Sequence, residues 1–113
     1  MRVLITGSRG YIGSRLCQII RKQFKKITIK GVDSNFYNYK EKWEHHYENL
    51  DIRDLSLFDF KKIDSVIHLA SLSNDPLGSL NKKLTREINY KATVNMGRLA
   101  KKAGVKRFIF IST

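Results

Sequence analysis

A single cysteine, Cys17, stands in the whole chain, so no internal disulfide can form. Its setting in a helical pattern reads as a small core residue rather than a redox centre. Acidic residues are scarce as well: ten Asp and Glu face twenty-two Lys and Arg, a net charge of +12. Such a surplus raises the question of nucleic acid or an anionic membrane as partner. The bases are dispersed, however, as pairs such as Arg21-Lys22, Lys61-Lys62 and Lys101-Lys102 near expected helix ends. No basic run of five or more occurs, and no aromatic–basic alternation of the kind that stacks bases. A solvated basic surface is the expectation, with nucleic-acid binding the minority alternative. Long apolar runs are also missing, which excludes a membrane span. No charged-then-apolar leader opens the chain, so the cytoplasm is the expected location. His45 and His46 are adjacent and diverge on any regular element, and no Cys or His lies at ligand spacing from them, so no metal site is expected.

What the chain does have is an apolar content of 42% over 113 residues, enough for one small domain, 1–113, with one core. Its first thirteen residues organise the rest. Val3, Leu4 and Ile5 have the composition of a strand buried on both faces. Gly7, Gly10 and Gly13 follow at three-residue steps, and Ile12, Leu16, Ile19, Ile20 and Phe24 then share one face of a helix. Strand, glycine-rich turn and helix start are the parts of a dinucleotide-phosphate site. One glycine makes the tight turn, the next lets the backbone approach a pyrophosphate, and the third lets helix and strand pack closely. The free amides and positive dipole end of the helix face the phosphates. The spacing is GxxGxxG rather than GxGxxG, and a bare strand-to-helix turn would look similar. The confirming context is an acid about twenty residues on. Asp33 meets it, at the end of the strand-like run 27–32.

Residues 34–46 are polar and aromatic without a clean period and read as a loop. Its tyrosines and Trp43 suit either an adenine pocket or a cover for the sheet edge. A short strand is expected over 47–50. Asp54 is expected to N-cap a short helix over 55–60. Asp51 has two readings, a turn former at a strand end or an acceptor for the adenine amine with Ile52 packed on the ring. Residues 65–70 form the fourth strand, in which His68 reads as a hydrogen-bonded core histidine. The small residues Ala70, Ser71 and Ser73 follow. The longest helix is expected from about Asn81 to Ala103, burying Leu84, Ile88, Ala92, Met96, Leu99 and Ala103, with Asn89 beside that stripe. Gly104 ends it, and 105–111 form the fifth strand. Alternation of this kind predicts an α/β fold, a Rossmann-type doubly wound parallel sheet of five strands in order 3-2-1-4-5. Gly7–Gly13 and Ala70–Ser73 would then meet at the switch point where such sheets bind ligands.

In these segments the chain resembles the extended short-chain dehydrogenase/reductase superfamily, in its NAD-dependent epimerase/dehydratase branch. Thr6-Gly-Ser-Arg-Gly-Tyr-Ile-Gly13 is similar to the family's TGxxGxxG, Asp33 to its ribose-holding acid, and Asp51-Ile-Arg-Asp54 to its adenine-contacting DxRD. His68-Leu-Ala-Ser71 resembles its HLAA segment, Glu87-Ile-Asn-Tyr-Lys-Ala-Thr93 the helix whose asparagine supports the active site, and Arg107–Thr113 the strand leading to the catalytic serine or threonine. The longer segment from His68 to Gly78 resembles a subgroup thought to act on nucleotide sugars. The resemblance implies a cofactor site built from Gly7, Ser8, Arg9, Gly10, Tyr11, Ile12 and Gly13 around the pyrophosphate. Asp33 would take the ribose, Asp51 and Ile52 the adenine, and Leu69, Ala70 and Ser71 the opposite flank, with Asn89 in support. It also implies hydride transfer from a sugar carbon to NAD, with proton transfer by the Tyr of a YxxxK motif.

No tyrosine here is followed four residues later by lysine, and no catalytic residue is assigned. The expectation is the NAD-binding part of a nucleotide-sugar epimerase or dehydratase, stopping before the catalytic helix and substrate domain and not competent alone. A nucleotide-sugar substrate would bind only in a full-length enzyme. The alternatives are a stand-alone NAD-binding regulatory or assembly module and, less favoured, a nucleic-acid-binding protein. NAD is expected over NADP, because Asp33 accepts a ribose 2′-OH and repels a 2′-phosphate. Arg9 is the counter-argument: it is either a reader of a 2′-phosphate or a solvent-facing loop arginine. An open fifth strand and an unpartnered 81–103 helix favour self-association.

Overall fold

The computed structural model describes residues 1–35, 38–70 and 82–111. The expectations placed on Tyr37, Ser71, Ser73, Asn81, Ser112 and Thr113 lie outside these residues. The chain runs β1 (Arg2–Thr6), α1 (Tyr11–Gln23), β2 (Thr28–Asp33), β3 (His46–Asn49), two 3₁₀ turns (Ile52–Asp54 and Leu57–Phe60), β4 (Ser65–His68), α2 (Lys82–Ala103) and β5 (Arg107–Phe110). The five strands form one sheet in the order β3-β2-β1-β4-β5, the expected order, and every pairing is parallel. Thr6, the last residue of β1, lies in register with Val32 on one side and His68 on the other. The C-terminal ends of the three central strands therefore open onto one edge.

Strand alternation sends neighbouring residues of β1 to opposite faces. Leu4 joins Val32, Leu55, Phe60, Val66, Met96 and Ala100 in a cluster under α2. Val3 and Ile5 join Cys17, Ile20 and Ile29 under α1. Each large apolar side chain buried in these layers contributes about 1.5–3 kcal/mol by leaving water.

Four local expectations change. First, α1 buries Gly13, Ser14, Cys17 and Ile20, while Ile12, Ile19 and Phe24 are exposed. Gly13 sits against the glycine turn, and the buried face runs from it through Ser14, Cys17 and Ile20, with Leu16 packed beside it. Second, β3 begins one residue early, at His46, because His45 already pairs with β2: its N–H donates to the Ile29 carbonyl at 3.0 Å. Third, Asp54 caps no helix over 55–60. Asp51 caps the first 3₁₀ turn by accepting from the Arg53 N–H, and the second is closed by Asp59, whose carboxylate accepts from the Ser56 N–H at 2.8 Å. Fourth, Leu84 is exposed, and Thr85, Ala92, Met96 and Ala100 carry the buried stripe of α2. Gly104 ends that helix with φ +83°, as expected. β5 is an edge strand on which Ile109 and Phe110 are exposed, followed by an exposed Ile111.

Candidate functional site

The glycine turn is built against the end of β4. Gly7 has φ +73°, a backbone region that favours glycine, and a Cβ there would lie 2.9 Å from the Ala70 nitrogen. Its N–H donates to the Val32 carbonyl at 2.8 Å, tying the turn to β2 as well. Gly13 meets a stricter demand: a Cβ would fall 1.9 Å from the Gly7 carbonyl oxygen and 3.0 Å from the Ser8 Cα. The first turn of α1 thus rests directly on the loop. Gly10 caps α1 in extended conformation, and the helical ladder starts with the Ser14 N–H donating to the Gly10 carbonyl at 2.9 Å. The amides of Tyr11, Ile12 and Gly13 precede that bond and belong to the free donors of a helix N-terminus. Gly10, Tyr11 and Ile12 are exposed around them. An anion approaching this end meets unencumbered N–H groups and the positive end of the helix dipole.

Asp33 stands beside the turn. One carboxylate oxygen accepts the Arg9 N–H at 2.8 Å and the other the Asn35 N–H at 2.6 Å. A carboxylate offers about four acceptor positions, so Asp33 is fixed by two amides and, among the described residues, keeps lone pairs unused. Arg9 is neither solvent-facing nor free. Its side chain is 11% exposed, with the guanidinium 3.6 Å from the Tyr47 ring centroid.

His68 is buried, as expected of a core histidine. The Thr6 hydroxyl oxygen accepts the Leu69 and Ala70 amides at 3.1 and 3.2 Å. Both its lone pairs are then occupied, so its proton points to His68 Nδ1, 2.6 Å away. The ring proton accordingly sits on Nε2 and donates to Thr93 Oγ1 at 2.9 Å. The ring stacks on Phe110 at 5.3 Å, and burial lowers its pKa to about 4. This neutral histidine pins the end of β4 to β1 and α2 at the place where Gly7 touches Ala70.

Asp51 shows its turn-forming role: it accepts the Arg53 N–H at 2.9 Å and pairs with the Arg53 guanidinium at 2.7 Å, which lowers its pKa. Ile52 packs against the α2-side core. Asn89 is half-buried on α2. Trp43 packs on the α1-side core, its Nε1–H donates to the Tyr39 hydroxyl at 3.1 Å, and its remaining surface lines an open hollow with Arg21, Lys22, Phe24, Ile27 and His45, on the α1 side of the sheet. Among the described residues no group of three or more His, Cys, Asp or Glu is arranged to hold a metal ion, and no helix is long and apolar enough to cross a membrane. The sequence reading missed Glu44, Gly31, Tyr47 and Thr93. Only Gly31 carried a signal, a lone glycine within a strand, which marks a close approach by another group.

Comparison with known proteins agrees with this geometry. UDP-glucuronic acid decarboxylase 1 of Danio rerio is 32% identical over 116 residues, a match covering 99% of this chain and 27% of that protein. A putative UDP-glucose 4-epimerase of Methanocaldococcus jannaschii is 29% identical, with 98% and 37% covered. The chain thus spans roughly a quarter to two-fifths of the curated relatives it matches. Among solved structures, MoeE5 in complex with UDP-glucose and NAD superposes with a TM-score of 0.80 at 27% identity, over 100% of this chain and 36% of that one. The DesIV double mutant, a dTDP-glucose 4,6-dehydratase from Streptomyces venezuelae with NAD and DAU bound, gives 0.80 at 25% identity, covering 39% of that chain. Residues 3–113 match the model of the NAD dependent epimerase/dehydratase family, and the chain belongs to that family.

Proposed function

We propose that the chain forms the NAD-holding part of a nucleotide-sugar epimerase or dehydratase. The observation that carries this reading is the meeting of three segments at one sheet edge. The glycine turn touches Ala70 closely enough that a Cβ on Gly7 would lie 2.9 Å away, and its Arg9 amide is bonded to Asp33 at 2.8 Å. Two features support a dinucleotide there. The amides at the head of α1 suit the pyrophosphate, and the free lone pairs of Asp33 suit a ribose hydroxyl. The charge of Asp33 disfavours a 2′-phosphate in the same place. Asp51 and Ile52 are assigned to the adenine side, Leu69, Ala70 and Ser71 to the other flank, and Asn89 to support. When bound, NAD supplies the hydride acceptor. The residues of this chain bind and orient it, and none is assigned to proton transfer, because no tyrosine is followed four residues later by lysine.

The test is calorimetric titration of the purified chain with NAD⁺ and, separately, incubation with UDP-glucose and NAD⁺. Saturable binding is expected, at least tenfold weaker in Asp33→Ala, with no sugar turnover. Absence of saturable binding at millimolar NAD⁺ overturns the cofactor reading, and conversion of the sugar overturns the lack of competence.

A further inference from the structure

Glu44 is an acid where an exposed one would be expected. It lies in the polar segment ahead of β3, yet is only 2% exposed. Its Oε2 accepts from Ser8 Oγ at 2.7 Å and from Arg9 Nε at 3.2 Å. Its Oε1 is buried with no hydrogen-bond partner among the described residues. A buried carboxylate is costly unless paired, so this one is held in place by the hydroxyl and the guanidinium together. It reaches them because position 31 has no side chain: a Cβ on Gly31 would lie 2.3 Å from Glu44 Cγ and 2.6 Å from Ser8 Oγ. The lone glycine in β2 is thereby explained. It is the gap through which Glu44 passes beneath the glycine turn.

The group that Glu44 restrains is Arg9. The Arg9 guanidinium has the Glu44 carboxylate at its Nε, the Tyr47 ring on its face at 3.6 Å and the Tyr39 carbonyl accepting from NH1 at 3.3 Å. The Arg9 backbone N–H meanwhile donates to Asp33 at 2.8 Å. An arginine whose amide touches the ribose acid is well placed to answer a 2′-phosphate, because guanidinium pairs with phosphate through charge-assisted bonds. Here its charge is already matched and its side chain is enclosed.

We propose that Glu44 is a specificity-determining residue that selects NAD over NADP by neutralising Arg9 and holding it against Tyr47. It acts through Arg9 and is a positioning residue. The inference rests on the dinucleotide reading of the site. The charge-free isostere Glu44→Gln keeps an acceptor for Ser8 and Arg9 but releases the arginine's charge. NADH and NADPH are titrated, by nicotinamide fluorescence, into the wild type, E44Q, R9A and the E44Q/R9A double variant. Wild type is expected to prefer NADH. E44Q should narrow the NADH-to-NADPH affinity ratio at least tenfold by tighter NADPH binding, and the double variant should lose that gain. A merely structural role of Glu44 would weaken both dinucleotides together. An unchanged ratio in E44Q, or a gain that survives removal of Arg9, overturns the proposal. Competition in the wild type alone gives a second reading should E44Q not fold: 2′,5′-ADP is expected to bind no better than 5′-AMP, and a preference for 2′,5′-ADP overturns it. If the wild type binds neither dinucleotide, the cofactor reading itself has failed and this proposal with it.

Discussion

Acid should loosen this protein at one identifiable point, His68. In the native state its Nδ1 receives the Thr6 hydroxyl proton and its Nε2 donates to Thr93. Adding a proton at Nδ1 would set donor against donor inside the core. Burial accordingly lowers the His68 pKa from 6.5 to about 4. The sign follows directly. The unfolded chain binds this proton below about pH 6.5 and the folded chain only below about pH 4. Stability from this group is therefore complete above pH 6.5, declines as the pH falls through the interval, and is gone near pH 4. The gap between the two values corresponds to about 3 kcal/mol, a large share of the ~5–15 kcal/mol that holds a small domain folded. Urea denaturation followed by circular dichroism at pH 7, 5.5 and 4 measures the loss, with His68→Gln as reference because it cannot titrate. Carboxylates lose their native bonds in both proteins, so the difference in slope isolates the imidazole. Wild type is expected to lose about 3 kcal/mol more than the variant across this range. Parallel loss in the two proteins, or a native-state midpoint for His68 near 6.5 by NMR, would refute the reasoning.

Gly13→Ala would place a methyl 1.9 Å from the Gly7 carbonyl oxygen, against backbone that cannot move aside alone. Overpacking of this kind costs about 1–3 kcal/mol or more, so thermal melting should fall by roughly 5–20 °C, with dinucleotide binding lost in the same sample; an unchanged melting point would show that the turn tolerates separation from α1. Burial, and secondarily the Glu44 charge, push the Cys17 thiol up to about 12. A thiol reagent at pH 8 should therefore modify Cys17 only as the protein unfolds, and rapid stoichiometric labelling without denaturant would contradict the buried position.

The sheet was legible because its signals are local: each strand is a short apolar run and each crossover a helical period or a loop. The parallel order then follows from chain alternation. The convergence of Gly7 on Ala70 was legible for the same reason, since topology brings those strand ends together whatever the side chains do. The face of α1 was misread for a physical reason. Hydrophobic periodicity counts large residues, and it placed Ile12, Ile19 and Phe24 inside. Gly13 brings the first turn of the helix against the glycine turn, so the buried face runs through Gly13, Ser14, Cys17 and Ile20 with Leu16 packed beside it, and Ile12, Ile19 and Phe24 fall outside that face. Glu44 was illegible because its burial depends on partners 36 and 35 residues away in the chain, Ser8 and Arg9. A polar segment without period carries no trace of such a contact; only the gap at Gly31 does.

The scarcity of acids takes on a different meaning once their positions are known. Asp33, Glu44, Asp51, Asp59 and Asp64 all accept hydrogen bonds that tie down loops or strand ends, the last from the Arg2 N–H at 2.8 Å. Half of the ten acids are thus committed to internal ties, and Glu44 and Asp59 are buried. Those two are matched by Arg9 and Lys30, themselves nearly buried, so the whole surplus of +12 stays with the remaining charges. A basic surface draws in any polyanion, so salt sensitivity alone cannot distinguish a dinucleotide site from a nucleic-acid surface. The steepness can. A protein neutralising Z duplex phosphates loses affinity with a log–log slope of about −0.9Z, whereas a dinucleotide presents only its pyrophosphate. A shallow salt slope, together with a ratio that responds to the 2′-substituent, is what the proposed dinucleotide site at the glycine turn and Asp33 predicts. A steep slope indifferent to that substituent would assign the charge to nucleic acid instead.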